Sequence, residues 1–182
     1  MKTRRLDLNT GGSMYIPSYK PTGNEKATIK TDKGTIVVEL FGNEAPLHVG
    51  NFVELVQKGF YNGTKIHRYE PGFVAQGGDP LTRDASAADV MQGRGAFGTG
   101  GPGYSIEGEF DLAKNPHKHD KGALGMARSM DPNSAGSQFY FTLEPAHFLD
   151  GNYTVFGQII EGLAIADDLR IGDTIISIEI SE

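Results

Sequence analysis

The chain has 182 residues, 38% of them hydrophobic and 22% charged, which suits one globular domain that buries its own core. A formal net charge of −6 without a basic patch argues against a nucleic-acid partner. The absence of cysteine excludes disulfides, cysteine-zinc sites and thiol catalysis, and no metal site or cofactor is predicted.

Targeting and membrane signals are missing from the sequence. The basic residues at the N-terminus are not followed by the apolar run of a signal peptide. No window approaches the ~18 apolar residues that would span a bilayer. We therefore expect no membrane association and a cytoplasmic location. A monomer is expected as well.

The N-terminal region divides into an arm and the start of a domain. Residues 1–25 are polar and without a period, which predicts an extended arm, and residues 26–182 form the predicted domain. Two β-branched runs, 27–31 and 35–40, flank a turn with Gly34 and predict a hairpin. A helix is predicted from Pro46 to Lys58, with Gly59 directly after it, because apolar residues recur there at helical spacing.

Short strand patterns dominate the rest of the chain, at residues 64–69, 73–76, 123–127, 138–143, 154–160 and 174–180. A second short helix is predicted at residues 163–170, before Gly172. Many short strands with only two helices favour an antiparallel barrel or sandwich over a βαβ sheet.

Three separated segments contain the candidate functional residues. Residues 65–79 hold Arg68, Phe73 and Gln76, residues 136–142 hold Gln138, and residues 147–157 hold two apolar side chains after His147. Taken singly, each arginine or glutamine is more simply a solvated residue, and each aromatic residue more simply core. Together, and in this order, the segments resemble the cyclophilin family of peptidyl-prolyl isomerases over residues 27–180.

The resemblance implies a mainly β fold, a closed eight-stranded antiparallel barrel with a helix over each end. It also implies isomerisation of X-Pro bonds in proline-containing polypeptides, in assistance of folding, with no cofactor. Arg68 would donate to the twisted prolyl amide, Gln76 would hold Arg68, and Gln138 would bind the substrate backbone. The remaining substrate-binding residues would be Phe73, Val74, Gly98, Ala127, Arg128, Ser129, Tyr140, Phe148, Leu149 and Tyr153. A binding module or chaperone with little turnover is the alternative.

Four residues depart from the family pattern. Phe148 replaces a tryptophan whose indole N–H donates a hydrogen bond to cyclosporin, the family's macrocyclic inhibitor. Weak cyclosporin binding is therefore expected. Tyr153 replaces a histidine, Arg128 an asparagine and Tyr140 a phenylalanine. None of these changes removes Arg68 or the two glutamines.

Other motifs are weaker. Residues 80–97 form a loop longer than in compact family members, interpreted as a surface insertion rather than a partner-binding or gating element. Residues 98–103 satisfy a glycine-rich nucleotide pattern formally, but Pro102 interrupts it. Residues 117–120 resemble a metal-binding tract and are interpreted as a solvated loop. Ser134 or Ser137 with His147 and Asp150 would supply the residue types of a hydrolytic triad, but the sequence has no G-x-S-x-G motif, so this interpretation is weak.

Overall fold

A computed structural model describes residues 3–7 and 12–182. This part of the chain contains ten strands, three α-helices and two short 3-10 turns. The strands are β1 (Thr3–Asp7), β2 (Gly12–Ile16), β3 (Lys26–Thr31), β4 (Gly34–Leu40), β5 (Arg68–Glu70), β6 (Val74–Gly77), β7 (Ala123–Met126), β8 (Phe139–Thr142), β9 (Val155–Glu161) and β10 (Ile175–Ser181). The α-helices are α1 (Pro46–Gln57), α2 (Ala87–Met91) and α3 (Leu163–Asp168).

Eight strands form one antiparallel sheet in the order β10-β3-β4-β9-β7-β8-β6-β5. The predicted hairpin is confirmed: β3 and β4 pair from Lys26 with Glu39 to Thr31 with Gly34. Gly34 has a φ of +138°, a conformation that glycine adopts without steric cost. The mainly β, antiparallel prediction is therefore confirmed.

The prediction of a closed barrel is not confirmed. The sheet is a curled half-barrel whose edge strands, β5 and β10, do not pair with each other. Residues 63–66 and 172–175 exchange backbone hydrogen bonds, but only around the isolated bridge between Lys65 and Thr174. The strand predicted at 64–69 is shorter than expected, and β5 ends before Pro71, which has no N–H to continue a ladder.

The core lies between the concave face of the sheet and α1. Phe52 of α1 is fully buried, and its ring lies 5.3–6.0 Å from the rings of Tyr61, Phe139 and Phe156. Helix α1 begins at Pro46, as predicted, and Gly59 follows its end with a φ of +71°. In the described part of the chain, no helix has both the length and the apolar character needed to cross a bilayer.

The N-terminal region contacts α1. Of the predicted arm, residues 1, 2 and 8–11 lie outside the described residues, and β1 pairs with β2 in the remainder. Tyr15 is 5% exposed, and its hydroxyl donates to Glu54 Oε2 at 2.5 Å. The backbone N–H groups of Ser18 and Tyr19 donate to Glu54 Oε1 at 2.6 and 3.2 Å. Tyr15, Ser18 and Tyr19 are therefore bound to the C-terminal half of α1.

The long loop at 80–97 has regular structure. A 3-10 turn occupies Pro80–Thr82, and α2 follows, with Ser86 Oγ accepting the N–H of Asp89 at its N-terminus. The sequence prediction contained two helices and missed α2, because five residues are too few to show a helical period. The second predicted helix is confirmed as α3, two residues shorter at its C-terminal end than expected.

Candidate functional site

Arg68 lies on β5 at the edge of the sheet, beside Gln76 of β6. The two residues are paired across the strands, and Arg68 Nη1 donates to Gln76 Oε1 at 3.3 Å. Gln76 Nε2 donates to Gln138 Oε1 at 3.0 Å, and Gln138 Nε2 donates to the carbonyl of Gly100 at 2.8 Å. The structure therefore joins the three predicted polar residues in one chain of hydrogen bonds.

Glu70 is a second partner of Arg68 that the sequence analysis did not identify. Its Oε1 accepts from Arg68 Nε at 3.2 Å and from Nη2 at 3.0 Å. Both side chains are about half exposed, at 45% and 49%, so water screens this ion pair. The guanidinium carbon also lies 5.7 Å from the centre of the Phe73 ring. Arg68 is thus oriented by one carboxylate, one amide and one aromatic face.

A cavity of about 190 Å³ opens beside Arg68. Val74 and Tyr140 are buried in its wall, at 2% and 4% exposure, while Phe73, Leu149 and Tyr153 are half-buried. Nine of the predicted residues line this cavity: Arg68, Phe73, Val74, Gln76, Ala127, Arg128, Tyr140, Leu149 and Tyr153. These residues lie on strands β5, β6 and β8, in the turn between β5 and β6, and in the loops after β7 and before β9. The result is a small hollow with an apolar and aromatic wall on one part of its surface and the polar groups of Arg68, Gln76 and Arg128 on the rest.

A second cavity of about 440 Å³ adjoins the first and shares Gln76, Ala127 and Arg128 with it. Gly98, Ser129 and Gln138, also predicted, line this second cavity. The carboxylate of buried Asp79 holds its glycine-rich wall by accepting the N–H of Gly98 at 2.6 Å. The sequence analysis did not identify the other lining residues Pro102, Tyr104, Ser134, Gly136 and Ser137. Because they share Gln76, Ala127 and Arg128, the two cavities form one continuous groove beside Arg68.

Phe148 lies at the rim of the site. Its side chain is 72% exposed and follows the buried Ala146 in a 3-10 turn, His147–Leu149. Its ring centre is 5.4 Å from that of Phe73, which does line the smaller cavity. Phe148 therefore extends the apolar wall outward without lining the cavity itself.

Arg128 bridges the loops on either side of the cavity. Its Nε and Nη2 donate to the carbonyl of Asn152 at 3.0 and 2.7 Å, and its Nη1 donates to the carbonyl of Ser129 at 2.9 Å. The guanidinium carbon lies 4.3 Å from the centre of the Tyr153 ring, within cation–π range. Two of the four departures from the family pattern therefore contact each other.

A buried histidine lies behind the smaller cavity. His119 is fully buried, its Nδ1 lies 2.8 Å from Asp150 Oδ1, and its Nε2 lies 2.8 Å from the hydroxyl of Tyr140. Desolvation lowers the pKa of His119, although Asp150 opposes that shift. The interpretation of residues 117–120 as a solvated loop is thus wrong for His119, since nothing in a local pattern marks the tertiary contacts that bury it.

The serine and histidine residues considered for a hydrolytic triad are not assembled as one. Ser134 Oγ donates to the carbonyl of Asp131, and Ser137 Oγ donates to the carbonyl of Gly78. His147 instead faces Asp150 at 2.9 Å and Asp120 at 3.5 Å. The described geometry does not place a histidine beside either serine hydroxyl.

Comparison with known proteins agrees with this geometry. Residues 26–179 match the family model for cyclophilin-type peptidyl-prolyl cis-trans isomerases. A peptidyl-prolyl cis-trans isomerase of Helicobacter pylori is 45% identical over 157 residues, covering 85% of this chain and 86% of that protein. Peptidyl-prolyl cis-trans isomerase B of Bacillus subtilis is 42% identical over 142 residues, covering 78% and 87% of the two chains.

Solved structures give the same result. A cyclophilin-type peptidyl-prolyl cis-trans isomerase of Cryptosporidium parvum superposes with a TM-score of 0.73 at 28% identity, covering 87% of this chain and 98% of that one. A crystal structure of the same protein in the presence of the dipeptide Ala-Pro gives a TM-score of 0.72 at 29% identity, covering 86% and 99%. The chain described here therefore belongs to the family of cyclophilin-type peptidyl-prolyl cis-trans isomerases.

Proposed function

We propose that the protein accelerates cis–trans exchange about X-Pro bonds in polypeptides, with Arg68 as the catalytic donor. The activity named for the relatives and the Ala-Pro dipeptide of the structural neighbour support this substrate class. A single chain contains every residue of the proposed site, which supports action as a monomer. Exposed prolyl bonds of folding chains are the proposed targets.

The chemistry needs no nucleophile. Rotation about the prolyl bond breaks amide resonance, against a barrier of about 18–20 kcal/mol. As the amide twists, its nitrogen gains a lone pair that the planar ground state lacks. A donor aimed at that nitrogen therefore binds the transition state more strongly than the ground state, which is the condition for catalysis. A guanidinium suits this role because it stays charged and holds its donors in a rigid fork.

The groove supplies the complementary binding. The cavity of about 190 Å³ beside Arg68 would accept the proline ring against Phe73, Val74 and Leu149. The backbone at residues 127–129 would pair with the extended peptide as an added strand does. Gln138 keeps one amide hydrogen for the substrate after its bond to Gly100. The adjoining cavity would hold residues that flank the proline.

One observation supports the proposal most strongly: the oriented guanidinium of Arg68 beside a small cavity that Phe73, Val74 and Leu149 help to line. The test is the kcat/KM for cis–trans exchange of a short X-Pro peptide, measured for the wild type and for Arg68→Ala. Loss of one preorganised donor to the transition state is expected to lower the rate by about 10²- to 10³-fold. Arg94→Ala is the matched control, because Arg94 is exposed and paired with Asp89 in the α2 loop.

Two results would redirect the assignment. Peptide binding without acceleration by the wild type would favour the alternative, a binding module or chaperone with little turnover. Equal acceleration by wild type and Arg68→Ala would retain the isomerase and remove Arg68 from the mechanism. For the second result, the circular dichroism of Arg68→Ala must match that of the wild type.

A further inference from the structure

Tyr140, in the wall of the smaller cavity, is the end of a buried polar chain. Its hydroxyl lies 2.8 Å from His119 Nε2, and the two rings are nearly parallel at 14°. The other ring nitrogen of His119 lies 2.8 Å from Asp150 Oδ1, which also accepts the backbone N–H of His119 at 2.7 Å. His119 has no exposed surface, and the Asp150 side chain is 11% exposed. This series of hydrogen bonds thus runs from Asp150 through His119 to Tyr140 in the cavity wall.

The hydrogen-bond roles along this chain follow from its ends. Burial opposes ionisation of Asp150, but hydrogen bonds from His119 and His147 outweigh it and lower the pKa of this carboxyl. Ionised Asp150 can only accept, so Nδ1 of His119 carries the proton. Desolvation lowers the pKa of His119, which keeps the ring neutral and leaves a lone pair on Nε2. Burial raises the pKa of Tyr140, so its hydroxyl keeps its proton and donates it to Nε2.

The strand register gives this hydrogen bond a mechanical role. Tyr140 of β8 is paired with Gln76 of β6 on one side and with Gly125 of β7 on the other. A Cβ at position 125 would lie only 2.3 Å from Tyr140 Cζ, so the tyrosine ring occupies the space that a side chain would fill. Gln76, its other neighbour, holds Arg68. A shift of the Tyr140 ring would therefore change both the cavity and the strand that orients Arg68.

We propose that His119, held by Asp150, is a positioning residue that fixes the Tyr140 ring as the wall of the proline-binding cavity. This inference rests on the function proposed above and adds to it a residue that does not touch the substrate. The hydroxyl of Tyr140 is essential to this role, because a phenylalanine at position 140 could not hydrogen-bond to His119. The effect should therefore appear in substrate binding, as a change in KM larger than that in kcat.

The test is a double-mutant cycle of His119→Gln and Tyr140→Phe, with kcat and KM for an X-Pro peptide measured at neutral pH. His119→Gln is expected to lower kcat/KM about five- to tenfold in the Tyr140 background, the factor that one buried hydrogen bond contributes. In the Tyr140→Phe background the same change is expected to cost less than about twofold, since coupled residues are not additive. His117→Gln is the matched control, because His117 stacks on Phe41 and faces Glu44, away from both cavities that contain predicted site residues.

A purely structural role for His119 would give a different pattern. It would lower the unfolding midpoint equally in both backgrounds and leave kcat/KM of the folded variants unchanged, and this result would overturn the proposal. Equal losses of kcat/KM in both backgrounds would overturn it as well. If the wild type proves inactive, the proposed function fails. The same double-mutant cycle is then measured with the dissociation constant of the peptide in place of kcat/KM.

A second measurement covers the case in which His119→Gln does not fold. Protonation of His119 would reverse its hydrogen bond to Tyr140 and place a charge behind the cavity wall. The kcat/KM of the wild type is therefore expected to fall as pH drops through the lowered pKa of His119, which lies below the 6.5 that is usual for histidine. The fall should be weaker in Tyr140→Phe. The charged and titratable groups facing this chain are Asp150, His147 and Asp120 around His119, and Tyr153 and Arg128 around Tyr140. They are common to both proteins, so identical pH profiles would contradict the proposal.

Discussion

Arg68 uses three of the five N–H groups of its guanidinium on neighbouring side chains. Two go to Glu70 and one goes to Gln76. The remaining two are available to a bound peptide, on a group that can no longer rotate freely. Because Glu70 lies on β5 and Gln76 lies on β6, the orientation of Arg68 follows from the β5–β6 hairpin rather than from the loops. A catalytic donor held in this way has little reorganisation left at the transition state.

Phe148 supports a prediction on inhibitor binding. Its ring is exposed at the rim and has no N–H, whereas the family resemblance places a tryptophan donor at this position. Phe148→Trp is expected to increase the affinity for cyclosporin by about tenfold, as one added hydrogen bond in a partly desolvated site allows. Isothermal titration calorimetry on both proteins checks it.

Ile176→Trp is the control for this prediction. Ile176 is also exposed, at 53%, but lies on β10, at the opposite edge of the sheet from β5. A similar gain in both variants would mean that added aromatic surface, and not the placed donor, is responsible. No gain in Phe148→Trp would remove the proposed reason for weak cyclosporin binding.

Strand β7 has one position, Gly125, at which a side chain has no room unless a neighbour moves. A Cβ on Gly125 would meet three atoms of the Tyr140 ring within 2.5 Å, closer than any real contact. Gly125→Ala must therefore displace that ring and is expected to lower the free energy of unfolding by about 1–3 kcal/mol, with a raised KM for X-Pro peptides. Urea denaturation and steady-state kinetics measure the two effects.

Gly101→Ala is the matched control for stability. A Cβ there meets no atom within 4 Å, and Gly101 does not have a positive φ. Its free energy of unfolding should change by less than about 0.5 kcal/mol. A Gly125→Ala protein as stable as Gly101→Ala would show that the Tyr140 ring is free to move, against the proposed role of His119.

The elements divide into those that local patterns predict and those that they do not. β3, β4 and α1 were predicted within about one residue, since alternation, a glycine turn and an initial proline mark them directly. α2 was missed because it has only five residues. Closure of the sheet was overestimated because it depends on contacts between residues 63–66 and 172–175, more than 100 positions apart in the sequence.

The site divides in the same way. Arg68, Gln76 and Gln138 were chosen from motifs, and the structure brings them into one hydrogen-bonded chain. Glu70 and His119 were not assigned a role, because their partners are supplied by the fold. From sequence alone, a buried histidine is predicted to be a polar loop residue, because the strands that cover it are not visible in a local pattern. Sequence motifs thus identify the residues that line the groove more readily than the residues that hold those lining residues in place.

At the scale of the whole molecule, stability should fall on acidification in two stages. Burial lowers the pKa of both His119 and His67 below the usual 6.5, so the unfolded chain binds these protons first. Their contribution is complete above pH 6.5 and is lost as pH falls through the lowered values. Hydrogen bonds outweigh burial and lower the pKa of Asp150 and Glu25, whose contribution is lost at lower pH, below about 4.

Urea denaturation at pH 7.5, 5.5 and 3.5 tests this order. The free energy of unfolding is expected to decrease at each step. His119→Gln should weaken the first decrease and leave the second in place. A stability that rises between pH 7.5 and 5.5 would contradict the assignment of His119 and His67 as neutral buried groups.

The N-terminal region gives a prediction that separates stability from activity. Tyr15, Ser18 and Tyr19 bind Glu54 on α1, which is 9% exposed, and none of residues 14–25 lines either cavity of the proposed site. Deletion of residues 1–25 is expected to lower the unfolding midpoint while kcat/KM of the folded protein stays within about twofold, because the donors lost by Glu54 are not part of the groove. A large loss of rate in a folded truncated protein would show that the region acts on the site.

The central claim is that Arg68 acts on the transition state and not on binding. Exchange NMR on an Ala-Pro-containing peptide gives the dissociation constant and the cis–trans exchange rate from the same samples of wild type and Arg68→Ala. We expect a dissociation constant changed by less than about fivefold and an enzyme-bound exchange rate lowered by at least about 10²-fold. Equal losses in affinity and in rate, or no loss in rate, would contradict the account.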